Sequence, residues 1–193
     1  MSVVGLEKFA HPGPWTIEDV EALPETGSRF EILAPGVLTV GPAAAALHQR
    51  ASWNLTGLLR SAAKSAGLNV EALEAVNVEL PGERLAIPDI AVVDGDAADA
   101  NAVRFRPAQV HLAVEIVSPG SEATDRAIKP DLYAEAGIPL YWRLELDPSP
   151  RLFVFELHGD RYHQTIEIAG GDRRTISAGG LSFELDLAEL IRR

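Results

Sequence analysis

The chain has no cysteine among its 193 residues. That excludes a thiolate nucleophile, a cysteine-ligated zinc site and a disulfide framework. No apolar run approaches the ~20 residues needed to span a bilayer. Met1 to Trp15 show neither the charged start nor the long apolar stretch of a signal peptide. A soluble cytoplasmic protein is the expectation. Cations are scarce: 17 Lys and Arg stand against 28 Asp and Glu, a net charge of −11. This argues against indiscriminate nucleic-acid binding, which uses Lys and Arg to release counterions. It leaves open an acidic site whose charge a bound metal would offset. There is no P-loop glycine pattern, no G-x-S-x-G element and no His-Glu-x-x-His element, so NTPase, serine hydrolase and zincin readings lack support.

What is present suits a globular protein. The hydrophobic content of 47% is ordinary, and the length fits one domain, 1–193. A domain near this size buries roughly 70% of its unfolded surface and needs no staple.

The patterning predicts a mixed α/β fold around one sheet. Thr16 caps a short helix whose first turn carries acids. Arg29–Leu33 and Val37–Val40 read as strands joined by a turn at Ala34–Gly36. Between Ala43 and Ala66 the residues Leu47, Ala51, Leu55, Leu58, Ala62 and Ala66 form an apolar helical stripe, stopped by Gly67. Leu73–Leu80 and Leu85–Val93 read as strands around a turn at Pro81–Glu83, and Asp94–Ala102 as a loop or short helix. Val110–Val117, the most apolar strand, belongs at the centre. A helix follows within Thr124–Ala136; the proline places its start near Pro130, with Lys129 just before the first turn. Leu140–Leu146, Leu152–Leu157 and Tyr162–Ile168 complete the strands, and Asp186 caps a last helix ending in Arg192 and Arg193.

Within this frame, chemistry-bearing residues fall between Ile87 and Trp142. Side chains alternate faces along a strand. Asp89 shares a face with Ile87, Ala91 and Val93, and Glu115 with His111, Ala113 and Val117. If the two strands are neighbours, the carboxylates meet. Two close carboxylates repel unless a cation separates them, and Mg²⁺ suits such oxygen ligands. Lys129 is the candidate to position a water or offset developing charge. Asp125, four residues earlier, either steadies that lysine or forms a surface helix pair. Glu31, flanked by Phe30 and Ile32, is either a further carboxylate or a solvent-facing edge residue. His48 and His111 are either site neighbours or packing residues. Ser118–Ser121 is either a phosphate contact or a turn. Arg104, Arg106, Arg126 and Lys129 are either a basic rim or scattered charges.

Pro88 and Asp89, Glu115 to Pro119, Asp125 to Lys129, Tyr133 and Ala136 to Trp142 together resemble the Uma-two family within the PD-(D/E)XK nuclease superfamily. Phe30, Glu31 and His48 extend the match more loosely. The resemblance implies a restriction-endonuclease-like core with flanking helices. It also implies Mg²⁺-dependent (or Mn²⁺-dependent) phosphodiester cleavage of DNA and a homodimer. Asp89, Glu115, Lys129 and Glu31 are then the catalytic set; Asp89, Glu115 and Ile116 are the metal ligands; His48 and Asp125 are supporting residues. The sequence departs from the superfamily pattern at Val117, where the lysine is expected; its role shifts to Lys129. Ala34–Gly36 also replaces the Asp-Gly turn expected after Glu31. The competing readings are a catalytically silent module that binds nucleic acid or a protein, and a hydrolase acting on RNA.

Overall fold

The computed structural model describes residues 11–24, 27–41, 43–171 and 173–192. Helix α1 (Ile17–Glu21) opens with a reciprocal cap: the Asp19 N–H donates to Thr16 Oγ1 at 3.2 Å, and the Thr16 N–H donates to Asp19 Oδ2 at 2.9 Å. Strands β1 (Arg29–Ala34) and β2 (Val37–Gly41) form the expected hairpin. Helix α2 (Ala46–Ala66) ends at Gly67, whose φ of 64° supplies the left-handed stop. Its buried face is His48, Ala51, Ser52, Leu55, Thr56, Leu59, Ala62 and Ala63. The predicted stripe was therefore rotated: Leu59 replaces Leu58 in the core, and Leu47 is exposed. Polar Ser52 and Thr56 sit on the inward face, which hydrophobicity alone does not reveal.

Two segments that read as single strands are broken. Leu73–Leu80 becomes β3 (Val70–Glu74) and β4 (Asn77–Leu80), with Ala75 between them at φ 52°. Leu85–Val93 becomes β5 (Arg84–Ala86) and β6 (Ile90–Asp94), parted at Ile87, Pro88 and Asp89. Each break carries the chain from one sheet to another. The expected single sheet is thus two, plus a small hairpin; the mixed α/β class holds. Asp94 caps helix α3 (Gly95–Asp99) through the Ala97 N–H, and β7 (Arg104–Phe105) pairs with β4.

Strand β8 (Val110–Val117) is interior, as predicted, and buried along nearly its whole length. The following helix begins earlier than Pro130 suggested. Thr124–Ile128 forms a π turn that runs directly into α4 (Lys129–Glu135). Lys129 takes helical angles of φ −63° and ψ −44°, and its N–H donates to the Thr124 carbonyl, five residues back. Proline lacks an N–H and crowds the carbonyl four residues earlier; the wider turn leaves room for the ring.

Strands β9 (Leu140–Glu145), β10 (Arg151–His158) and β11 (Arg161–Ala169) follow as expected. The hairpin of β12 (Arg173–Ala178) and β13 (Leu181–Asp186) was not anticipated. Helix α5 (Leu187–Ile191) is capped by Asp186 as predicted; Arg193 lies outside the described residues.

The larger sheet runs β11-β10-β9-β8-β6-β3, and the smaller β2-β1-β5-β4-β7. On one face of the larger sheet, Ala51, Leu55 and Leu59 of α2 pack with Trp142, Leu185 and Leu190. On the other, Leu132 and Tyr133 of α4 join Val78, Phe105, Ala91 and Ala113. Each such large apolar side chain contributes roughly 1.5–3 kcal/mol when fully buried. The seam between the sheets is fixed by backbone: the Ala75 N–H donates to the Asp89 carbonyl at 3.1 Å. No helix among the described residues is long and apolar enough to cross a membrane.

Candidate active site

Strand pairing places the first two acids. In the antiparallel β6–β8 pair Ile90 faces Val114, so Asp89 lies one step beyond, level with Glu115. Ala91, Val93 and Ala113 share one core cluster, which is the face predicted for both acids. Glu31 arrives from the other sheet on β1, and Lys129 from the first turn of α4. His48 projects from the buried face of α2. Glu31, His48, Asp89, Glu115, Asp125 and Lys129 are all buried, and all line one cleft of about 440 Å³.

Lys129 is the hub. Its Nζ lies 2.9 Å from Glu31 Oε1 and 3.1 Å from Glu115 Oε1, and donates to the Ile87 carbonyl at 3.4 Å. Glu31 Oε1 also accepts the Ile87 N–H at 2.7 Å. The peptide just before Pro88 is therefore gripped from both sides, which fixes the seam segment that carries Asp89. Tyr133, one turn along α4, donates its hydroxyl to Glu115 Oε1 at 2.7 Å.

Asp89 is held by a different set. Its Oδ2 accepts the Ile116 N–H at 2.7 Å and lies 3.1 Å from His48 Nε2; its Oδ1 pairs with the Arg29 guanidinium. Within a strand, a residue's N–H and C=O face the same neighbour, so the Ile116 carbonyl is turned toward Asp89 as well.

The electrostatics are lopsided. Burial pushes the Asp89 carboxyl up, but the His48 hydrogen bond, the Arg29 charge and the Ile116 N–H outweigh it and hold the pKa at about 2. Glu115 goes the other way. Burial, reinforced by Asp89, Asp125 and Glu31, pushes it well above the usual carboxylate range despite the adjacent ammonium. Burial also drives Asp125 up to about 6, against the opposing pull of Lys129 and Ser121. Lys129 itself stays protonated: burial alone would lower it, yet Glu115, Glu31, Asp125 and Asp89 together raise it. Four buried carboxylates thus face the permanent charges of Lys129 and Arg29. The cluster is short of positive charge.

Several alternatives now resolve. Asp125 is buried, so it is no surface helix pair; Lys129 forms ion pairs with Glu31 and Glu115, and Asp125 acts on it through space. His111 is exposed at the far end of β8 and is not brought into the site. Ser118 and Ser121, with hydroxyls 3.1 Å apart, form a wall of the cleft. The basic rim does not assemble. Arg104 is held by Glu18, Glu21 and Glu79, and Arg126 by Glu145; of the four, only Lys129 lines the cleft. The cation that sequence reading missed is Arg29. It had no signal, because its partner lies 60 residues away.

Among the described residues, no group of three or more His, Cys, Asp and Glu side chains is preassembled to hold a metal ion. The contacts of Asp89 give the reason: both oxygens are engaged by protein donors. The donor chemistry nevertheless fits a hard divalent cation, with carboxylate oxygens, a backbone carbonyl and unbalanced negative charge. Of the side chains that hold Asp89, Arg29 is 29% exposed and His48 9%.

Comparison with known proteins bears on the fold and the family. A crystal structure of a "putative nuclease belonging to DUF820" from Anabaena variabilis matches with a TM-score of 0.71. The match covers 92% of this chain and 98% of that one at 18% identity, a likeness of fold. A search of curated proteins gave no match. The family model Uma2, described as "Putative restriction endonuclease", matches residues 17–188 and so spans both sheets and every residue of the cleft. The chain belongs to the Uma2 family.

Proposed function

We propose that this chain is a Mg²⁺-dependent endodeoxyribonuclease that cuts phosphodiester bonds in the carboxylate cleft. The observation that carries this reading is the charge imbalance: four buried carboxylates converge on one lysine in a cleft open to solvent. A cation bound by Asp89, Glu115 and the Ile116 carbonyl would polarise the scissile phosphate and acidify a water. Mn²⁺ would substitute through the same oxygen donors.

The chain's own residues have separable tasks. Lys129, kept protonated, presents an ammonium to the phosphate oxygens as charge builds on them. Glu31 holds that ammonium and the Ile87 peptide at once. Tyr133 is kept protonated by burial and the adjacent carboxylates, so its hydroxyl remains a donor to Glu115. His48 and the Ile116 N–H fix the Asp89 carboxylate. The unit that does this is a single domain acting in the cytoplasm. A homodimer suits double-strand cleavage, since two symmetric sites address both strands.

The engagement of Asp89 by Arg29 and His48 favours one second reading, a catalytically silent member of the fold that binds nucleic acid or a protein. The deciding experiment is cleavage of supercoiled plasmid, single-stranded DNA and RNA with Mg²⁺ or Mn²⁺, beside an Asp89→Ala, Glu115→Ala double variant purified identically. Metal-dependent nicking lost in the variant supports the nuclease and this site. Equal activity in both sinks the site. Silence in both, with no metal binding by calorimetry, favours the silent module.

A further inference from the structure

A second groove of about 420 Å³ runs beside the carboxylate cleft, and the two share Arg29, Ala43, Ala44 and His48 as a common wall. Trp53 lines this groove from the middle of α2 and is 70% exposed. Side chains on a helix lean toward its N-terminus. The indole therefore leans toward Gln49, one turn earlier, which lines the same groove. One turn later stands Gly57, where an added Cβ would meet nothing within 4 Å. Glycine inside a helix is destabilising, and packing does not call for it here. It leaves the helix surface beside the indole bare.

Glu74 also lines the groove, and its carboxylate accepts the Ser52 hydroxyl. A carboxylate accepts hydrogen bonds and repels phosphate. The groove thus offers an open aromatic face and a fixed acceptor. That combination suits a nucleobase rather than the backbone. Every base has a face that stacks on an aromatic ring, and a glutamate accepts from an exocyclic amino group such as that of cytosine.

We infer that this groove receives an unpaired or extruded base of the strand being cut, stacked on Trp53, with Glu74 accepting from an amino-bearing base edge. The inference rests on the nuclease reading and adds a specificity subsite to it. Arg29 and His48, on the common wall, lie where the strand passes from groove to cleft. An amino-bearing base is preferred over thymine, which has no exocyclic amine.

The test is binding of short fluorescein-labelled oligodeoxycytidylate and oligothymidylate in EDTA at low ionic strength, where no cleavage occurs. The native protein should bind oligodeoxycytidylate more tightly. Trp53→Ala should weaken both complexes by about 5- to 100-fold, Trp53→Phe should retain most affinity, and Glu74→Leu, which has no acceptor, should erase the cytosine preference. Native protein that binds neither oligonucleotide, or Trp53→Ala that binds both normally, overturns the inference. So does a Trp53→Ala protein that changes from dimer to monomer in sedimentation with its oligonucleotide affinity intact, because Trp53 then covers a second copy. Plasmid nicking is scored separately. Nicking with Trp53-independent binding removes this subsite and leaves the nuclease, whereas Trp53-dependent binding without nicking does the reverse.

Discussion

Lys129 Nζ lies 3.1 Å from Glu115 Oε1, although the lysine is on helix α4 and the glutamate on strand β8. The superfamily pattern places a lysine two residues after such an acid, on the same strand, where this chain has Val117. A side chain from the next helix thus reaches the Glu115 carboxylate. Replacing Lys129 with Ala should lower cleavage by about 10²- to 10⁴-fold, the range for a positioned proton-transfer group. It should also destabilise the metal-free protein by about 3–5 kcal/mol, because Glu31 and Glu115 lose their buried counter-charge. Thermal melts should show part of that loss restored by Mn²⁺.

On the proposed function, Arg29 would compete with metal for Asp89. Arg29→Ala frees Asp89 Oδ1, so the variant should bind Mn²⁺ more tightly than the native protein, and Asp89→Ala should abolish binding. Isothermal calorimetry reads both. Weaker binding by Arg29→Ala would mean that the guanidinium organises the site.

Asp125 gives a pH dependence with a definite sign. Its pKa of about 6 in the fold lies above the ordinary 3.8, so the folded state holds this proton more tightly than the unfolded chain. The group's contribution to stability is therefore lost as pH rises from about 4 to about 6, by an amount on the order of 3 kcal/mol. Asp125→Asn should melt higher than the native protein at pH 8 and nearly with it at pH 4. Asp89, held at about 2, acts oppositely: its contribution is present above pH 4 and fades as pH falls toward 2. An Asn variant no more stable at pH 8 would show that Asp125 is ionised at little cost.

Tyr133→Phe removes one hydroxyl and leaves the ring packing in place. Glu115 then loses a buried donor at a cost of about 1–3 kcal/mol. Urea unfolding should show that loss, and metal affinity should fall because the ionised glutamate is less well supported.

Most of the cleft was legible from residue types set in improbable surroundings. Glu115 within Val114–Val117 has no bland explanation, since unpaired buried charge is costly. Strand alternation then put Asp89 on its face. The sheet count was not legible, because Leu85–Val93 is apolar apart from Asp89 and a change of sheet alters neither hydrophobicity nor period. Pro88 was the available signal of the break. At Ala75 the positive φ falls on an alanine, which carries no such signal. Strand β12 was missed because its exposed, polar residues outnumber the apolar ones that mark a strand; β13, with Leu181, Phe183 and Leu185 alternating with polar residues, carried a strand pattern that was passed over. Arg29 and the rotated face of α2 depend on partners distant in sequence, which local pattern does not encode.

The π turn at Thr124–Ile128 sets the phase of everything around it. It holds one residue more than an α turn requires, and each helical residue rotates the chain by about 100°. Asp125 and Lys129 both point inward while Arg126, Ala127 and Ile128 face out. Deleting one residue there would force a choice. Either Leu132 and Tyr133 keep their packing and Asp125 swings off the cleft, or Asp125 stays and the lysine leaves its two glutamates.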